Sequence, residues 1–304
     1  MREFGGTWSE SKLDCVEDYA RAYLKVMQKQ HWYSLHYVDA FAGRGTQPMK
    51  SSVAAAETRE ALFEDESQTR DAREFLVGSA MRAMMASRDS ARSFDRFLFI
   101  DADRPSCTEL ERVVRSDFSM IEDAVEVVCD DANRALGDYI DSADWRSTRA
   151  LVFLDPFGLD VGWGLISRLA STKACDVWYL FSLSGVVRMM AKSGDIPQAW
   201  ESRLDRAFGT HGWRREFYRP SLQQPLLEQE NETWLRDAST EHVVDYLRAR
   251  LETVFAAVSK AAVLRNGKSS PLFALVLGVS NPSDRAQKAA LSIANTLVEG
   301  LSRP

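Results

Sequence analysis

Cysteine and histidine are both scarce in this 304-residue chain, with four of each. Cys15, Cys107, Cys129 and Cys175 stand far apart and form no C-x-x-C pair, which excludes a disulfide framework or a zinc ribbon and reads as reduced, buried thiols. His31, His36, His211 and His242 are not spaced as a metal pair, so the expectation is no metal. Long apolar runs are missing too. None approaches the roughly 20 residues that span a bilayer, and the opening Met1 to Phe4 lacks the apolar core of a signal peptide, so a cytoplasmic protein without a membrane partner is expected. Positive charge is short: the formal net charge is −6, which argues against binding nucleic acid through a bulk positive field and leaves room only for a local groove. There is no G-x-x-x-x-G-K-[ST] loop and no close acidic pair on one strand. A phosphate-cradling hydrolase or a nuclease with a carboxylate metal site therefore ranks low, although acids do end several strands.

What is present is an alternation of buried strands and amphipathic helices. Leu13, Val16, Tyr19, Ala20, Tyr23, Leu24 and Met27 recur at three- and four-residue steps and predict a helix over Ser11–Gln28. Five apolar runs of strand length follow: Leu35–Asp39, Arg96–Asp101, Ala124–Cys129, Ala150–Asp155 and Cys175–Phe181. Their continuous rather than alternating hydrophobicity fits strands covered on both faces, with helices as the crossovers of a parallel sheet. After a helix expected over Thr240–Ala257, the runs Ala261–Arg265 and Leu272–Val279 flank a short turn stretch and predict a terminal antiparallel hairpin. The expected fold is α/β: a single domain over residues 1–304 with a doubly wound, mostly parallel, seven-stranded sheet and helical insertions. Residues 47–76, rich in Ser, Glu, Asp and Arg, are expected to form a lid over the strand ends. Residues 182–239, holding Trp200, Trp213 and Trp234, are expected to select substrate.

The chemistry concentrates where the strands end. Tyr37 to Thr46 reads YVDAFAGRGT, an apolar run closing in a carboxylate and a Gly-x-Gly turn. In doubly wound sheets ligands sit beyond the carboxyl ends of the strands, and glycine lets backbone approach them. Thr46, Gln47 and Pro48 follow, so the G-x-G-x-x-G fingerprint of dinucleotide enzymes is absent. The D-x-F-x-G-x-G spacing of Asp39, Phe41, Gly43 and Gly45 resembles the first motif of class I S-adenosylmethionine-dependent methyltransferases; a tight turn built for packing alone uses the same glycines. Asp101 and Asp103 close the second strand, placed either to accept ribose hydroxyls or to cap the next helix. Asp130 and Asp131 end the third, placed either to accept from an adenine amino group or to serve turn chemistry together with Asn133. Asp155, Pro156 and Phe157 end the fourth, followed by Gly158. Asp155 is the candidate for orienting or deprotonating a nucleophile and Phe157 for walling the pocket, the alternative being a plain proline turn. Trp213 to Arg219 interleaves arginines with aromatics, as stacking platforms for single strands do, and as ordinary amphipathic segments also do.

Taken together, Tyr37–Gly45, Val77–Ala80, Phe99–Asp101, Val152–Leu159 and Lys173–Phe181 resemble the three-Cys-motif partner (TcmP) family over roughly residues 10 to 280. That resemblance implies a class I methyltransferase-like fold with S-adenosylmethionine as cofactor: Asp39, Gly43 and Gly45 at its methionine end, Asp101 at the ribose, Asp130 at the adenine, and Asp155 to Gly158 lining the reaction site. It also implies co-operation with a three-Cys-motif protein. Lys12 falls where such proteins place a lysine, and no physical role for it follows from the sequence. In amino-methyltransferases the related loop reads [D/N]-P-P-[Y/F]; here it reads D-P-F-G, so base stacking does not transfer to Gly158. Two functions compete: a methyltransferase acting on a nucleic-acid base, and a degenerate methyltransferase-like subunit that recruits or regulates a partner.

Overall fold

The computed structural model describes residues 6–43, 78–156, 158–220 and 234–301, with side chains from Lys12 onward. The segment expected to form a lid lies outside the described residues, as do Gly45 and Phe157. Helix α1 (Gly6–Met27) buries all seven apolar residues of its stripe, from Leu13 to Met27. It is followed by β1 (Ser34–Asp39), α2 (residues 78–88), β2 (Arg96–Asp101), α3 (Arg104–Asp117), β3 (Val125–Cys129), α4 (Ala132–Ser142), β4 (Thr148–Leu154), α5 (Trp163–Ser171) and β5 (Cys175–Ser182). Each expected strand forms within two residues of its expected ends.

The sheet runs β3-β2-β1-β4-β5, all parallel, and then takes β10 (Pro271–Val279) antiparallel against β5. The last position is shared by β8 (Ala257–Val258) and β9 (Ala262–Arg265), both antiparallel to β10. Between them Ser259, fully buried, spans the break: its amide donates to the Leu277 carbonyl at 2.9 Å and its hydroxyl accepts from the Leu277 amide at 2.9 Å. The hairpin turn is closed by Asn266, whose Oδ1 accepts from the amides of Lys268 (3.0 Å) and Ser270 (2.9 Å). This strand order, with its antiparallel C-terminal part, is that of the class I methyltransferase fold.

Two apolar layers cover the sheet. One packs α1, α2, α3 and α10 (Asp284–Leu301) against Tyr37, Phe97, Phe99, Leu151, Phe153, Trp178 and Leu180. The other packs α4 and α5 against Val38, Leu98, Ile100, Val152, Leu154, Val177 and Tyr179. That second layer also takes in α9 (Thr240–Glu252), which stops five residues short of the expected helix, and the segment inserted after β5. The insertion comprises α6 (Leu183–Met189), α7 (Gln198–Phe208), α8 (Trp213–Phe217) and a two-stranded sheet of β6 (Tyr218–Pro220) and β7 (Trp234–Arg236).

Candidate functional site

The carboxyl ends of β1 and β2 each carry an acid on one face of the sheet, and a third acid, Asp155, follows the end of β4. Asp39 pairs with Phe99 on β2 and Phe153 on β4. Asp101 lies two residues beyond Phe99, and side chains two apart share a face of a strand; Asp155 lies two residues beyond Phe153, just past the end of β4. They stand at the end of the layer that α1 and α2 cover.

Asp39 is fully buried. Its Oδ2 accepts from the Ser79 hydroxyl at 2.6 Å and its Oδ1 from the Phe41 amide at 3.1 Å. Burial pushes its carboxyl up to about 7 against those two hydrogen bonds, with Asp155 and Asp101 adding to the rise. Behind it the chain turns tightly: Gly43 sits at φ 64°, a left-handed conformation that glycine takes without strain. Its amide donates to Asp101 Oδ2 at 3.0 Å, while Asp101 Oδ1 accepts from the Asp103 amide at 2.7 Å. Asp101 therefore clamps the β1 turn to the β2 end.

Asp155 leaves β4 buried, followed by buried Pro156 and by Gly158 at φ 70°. Burial raises its carboxyl to about 7, and the Lys12 ammonium opposes that rise. Lys12 is itself only 1% exposed, with Nζ 5.2 Å from the centroid of the Phe273 ring.

The other acids sort differently. Asp103 caps α3, accepting from the amide (3.1 Å) and hydroxyl (2.6 Å) of Ser106. Asp131 caps α4, accepting from the Arg134 amide at 3.1 Å. Asp130 follows β3 beside Asp101, whose carbonyl accepts its amide at 3.1 Å. The Arg134 guanidinium, with Nε at 2.7 Å, and then the Asp131 amide hold Asp130 below the usual carboxylate range. Asn133 staples this loop to the one after β4, donating to the Asp160 carbonyl at 2.8 Å and accepting from the Gly162 amide at 3.1 Å.

The Trp213–Arg219 stretch differs from a stacking platform, because its rings are core. Trp213, Phe217 and Tyr218 are all buried, with Trp213 Nε1 donating to Asp205 at 2.8 Å and the Tyr218 hydroxyl to the Ala191 carbonyl at 2.9 Å. Arg214 is tied to Glu201 and to the Gly194 carbonyl; Arg215 and Arg219 face solvent. The four-residue spacing of Trp213 and Phe217 was the available signal for a buried helical face.

Sequence reasoning missed two contributors. Ser79, within the Val77–Ala80 motif, belongs to Asp39. Ser182, buried at the end of β5, caps α6 by accepting from the Gly185 amide at 3.2 Å. Among the described residues no three His, Cys, Asp or Glu side chains are placed to hold a metal ion, so the strand-end acids do not converge as a ligand set. No helix among them is long and apolar enough to cross a membrane.

No family model and no curated protein sequence matches this chain. Among solved structures it is similar to protein LPL1258 from Legionella pneumophila str. Philadelphia 1, of the family described as DUF519: 12% identity, a TM-score of 0.43, 94% of this chain and 92% of that chain. The fold assignment rests on the strand order itself, and that fold is compatible with S-adenosylmethionine binding.

Proposed function

We propose that this chain is an S-adenosylmethionine-dependent methyltransferase related to the TcmP family, and that its acceptor is a nucleic-acid base. The observation that carries the reading is the pair of buried acids, Asp39 and Asp155, at adjacent strand ends on the face where Asp101 clamps the Gly43 turn. Those residues suit the cofactor. Asp39 is a desolvated carboxylate for its methionine end, Gly43 allows close backbone approach, and Asp101 stands at the end of β2, where this fold binds ribose hydroxyls. Asp130 takes the adenine amino group while its other lone pairs stay with Arg134.

When bound, S-adenosylmethionine supplies an electrophilic methyl group. The chain's own part is alignment, exclusion of water and removal of one proton. Asp155 accepts a hydrogen bond from the acceptor nitrogen and takes up its proton. An acid poised at about 7 is matched to that task at neutral pH.

Calorimetry with S-adenosylmethionine and S-adenosylhomocysteine tests the cofactor, and binding of neither rejects the reading. Transfer of labelled methyl to DNA, RNA and cell lysate then tests the acid. Asp155→Ala should lower incorporation at least about a hundredfold, and unchanged incorporation removes Asp155 from its role.

A second reading, a regulatory subunit working with a three-Cys-motif protein, is favoured by Gly158. Where amino-methyltransferases carry a stacking ring, this loop turns through a left-handed glycine. Cofactor binding without transfer in isolation, and transfer on adding the partner, would select it.

A further inference from the structure

Lys12 is buried to 1% exposure, and an ammonium taken from water is destabilising unless it is compensated. Lys12 is on α1, and its amine reaches the carboxyl edge of the sheet: Phe273, over which it lies, is registered opposite Ser182 at the end of β5. β5 is the neighbour of β4, and Asp155 is the residue that follows β4. The Phe273 ring face compensates the cation, and the field of the Lys12 ammonium reaches Asp155.

Asp155 is pulled in opposite directions by what surrounds it. Lys12 of α1 acts on it, and it acts in turn on Asp39 of β1, as Asp101 of β2 also does. Desolvation favours the neutral acid, and Lys12 favours the carboxylate. A neutral Asp155 has no lone-pair charge with which to take a proton from an acceptor amine.

We propose that Lys12 is the positioning residue for Asp155: its buried ammonium, seated over Phe273, keeps the acid ionised and in place when an acceptor arrives. The inference deepens the methyltransferase reading and rests on it for its catalytic meaning, but the coupling of the two side chains is measurable without turnover.

Two readouts test it on the full chain. In the first, the carboxyl carbon of Asp155, assigned by its loss in Asp155→Asn, is titrated by NMR in the native protein and in Lys12→Met and Lys12→Gln. The midpoint should rise by about one pH unit or more in both neutral variants. A midpoint that stays put overturns the proposal whether or not the protein is a methyltransferase. In the second, the pH profile of kcat/KM is compared. The acidic limb should move up with the midpoint, so that activity at pH 7 falls about fivefold or more and recovers towards pH 9. Lys12→Arg keeps the charge and should keep the limb and the NMR midpoint, whatever its rate. If the neutral variants do not fold, the arginine variant decides: an unmoved midpoint supports the role of charge, and a moved one overturns it. Absence of methyl transfer by the native protein, with the midpoint shift intact, would reject the activity and leave the coupling standing.

Discussion

Asp39 makes the cost of burying an acid measurable. Its folded value near 7 lies above the ordinary 3.8, so the folded state binds its proton more tightly than the unfolded state does. The stability tied to that proton is complete below about pH 4 and is lost as pH rises through 7. His36 works the other way. Burial first, and Arg96 second, lower it to about 4, so its contribution is present above the unfolded 6.5 and is lost as pH falls towards 4. Comparing Asp39→Asn with the native protein cancels the histidine. The melting temperature of the variant relative to native should climb between pH 5 and pH 8, and a flat difference would show that Asp39 titrates as an exposed acid does. Nothing in the local string YVDAF foretells this value. The strand-end position of Asp39 was legible, but its desolvation depends on Ser79 and α2, which arrive from forty residues along the chain.

At the scale of elements, the two acids after β2 divide the work that the sequence left open between them. Asp103 starts α3, and Asp101 ties β2 to the turn after β1. Asp103→Ala should cost about 1 kcal/mol of stability in denaturant unfolding and leave cofactor affinity within about twofold. Asp101→Ala removes a charge-assisted bond to the Gly43 amide and should weaken S-adenosylmethionine binding by about tenfold or more in calorimetry. Equal effects on affinity would mean that the clamp does not shape the site. The same division recurs after β3, where Asp131 caps and Asp130 pairs with Arg134. Sequence alone offers Asp in both roles because one side chain serves both chemistries. Which role it takes is settled by the direction in which the next helix leaves the strand.

At the scale of the molecule, the ladder between β5 and β10 is the longest antiparallel pairing among the described residues, running from Phe273–Ser182 to Val279–Asp176 with buried residues on both faces. Backbone amides there should exchange with deuterium most slowly, and those of the small β6–β7 sheet at the edge of the insertion fastest, as hydrogen exchange read by mass spectrometry would report. The reverse order would make the insertion, rather than the sheet, the stable nucleus. Five parallel strands, their order of appearance and the terminal hairpin were all legible, since continuous apolar runs and turn residues are local signals. The break between β8 and β9 was not, because Ser259 is defined by its partner Leu277 across the sheet. The aromatics of α8 stayed open between two readings for a related reason: whether Phe217 stacks on a ligand or on Phe208 and Tyr246, and Trp213 on a ligand or on Tyr218, depends on what the insertion folds against.

The sequence by itself determined the α/β class, the strand ends and the acids that occupy them, because hydrophobic period and turn chemistry act over a few residues. Only the tertiary structure decided which of those acids are buried, which merely cap a helix, and that the charge of Lys12 on the first helix reaches Asp155 beyond the fourth strand. Desolvation and charge proximity are properties of space rather than of sequence order.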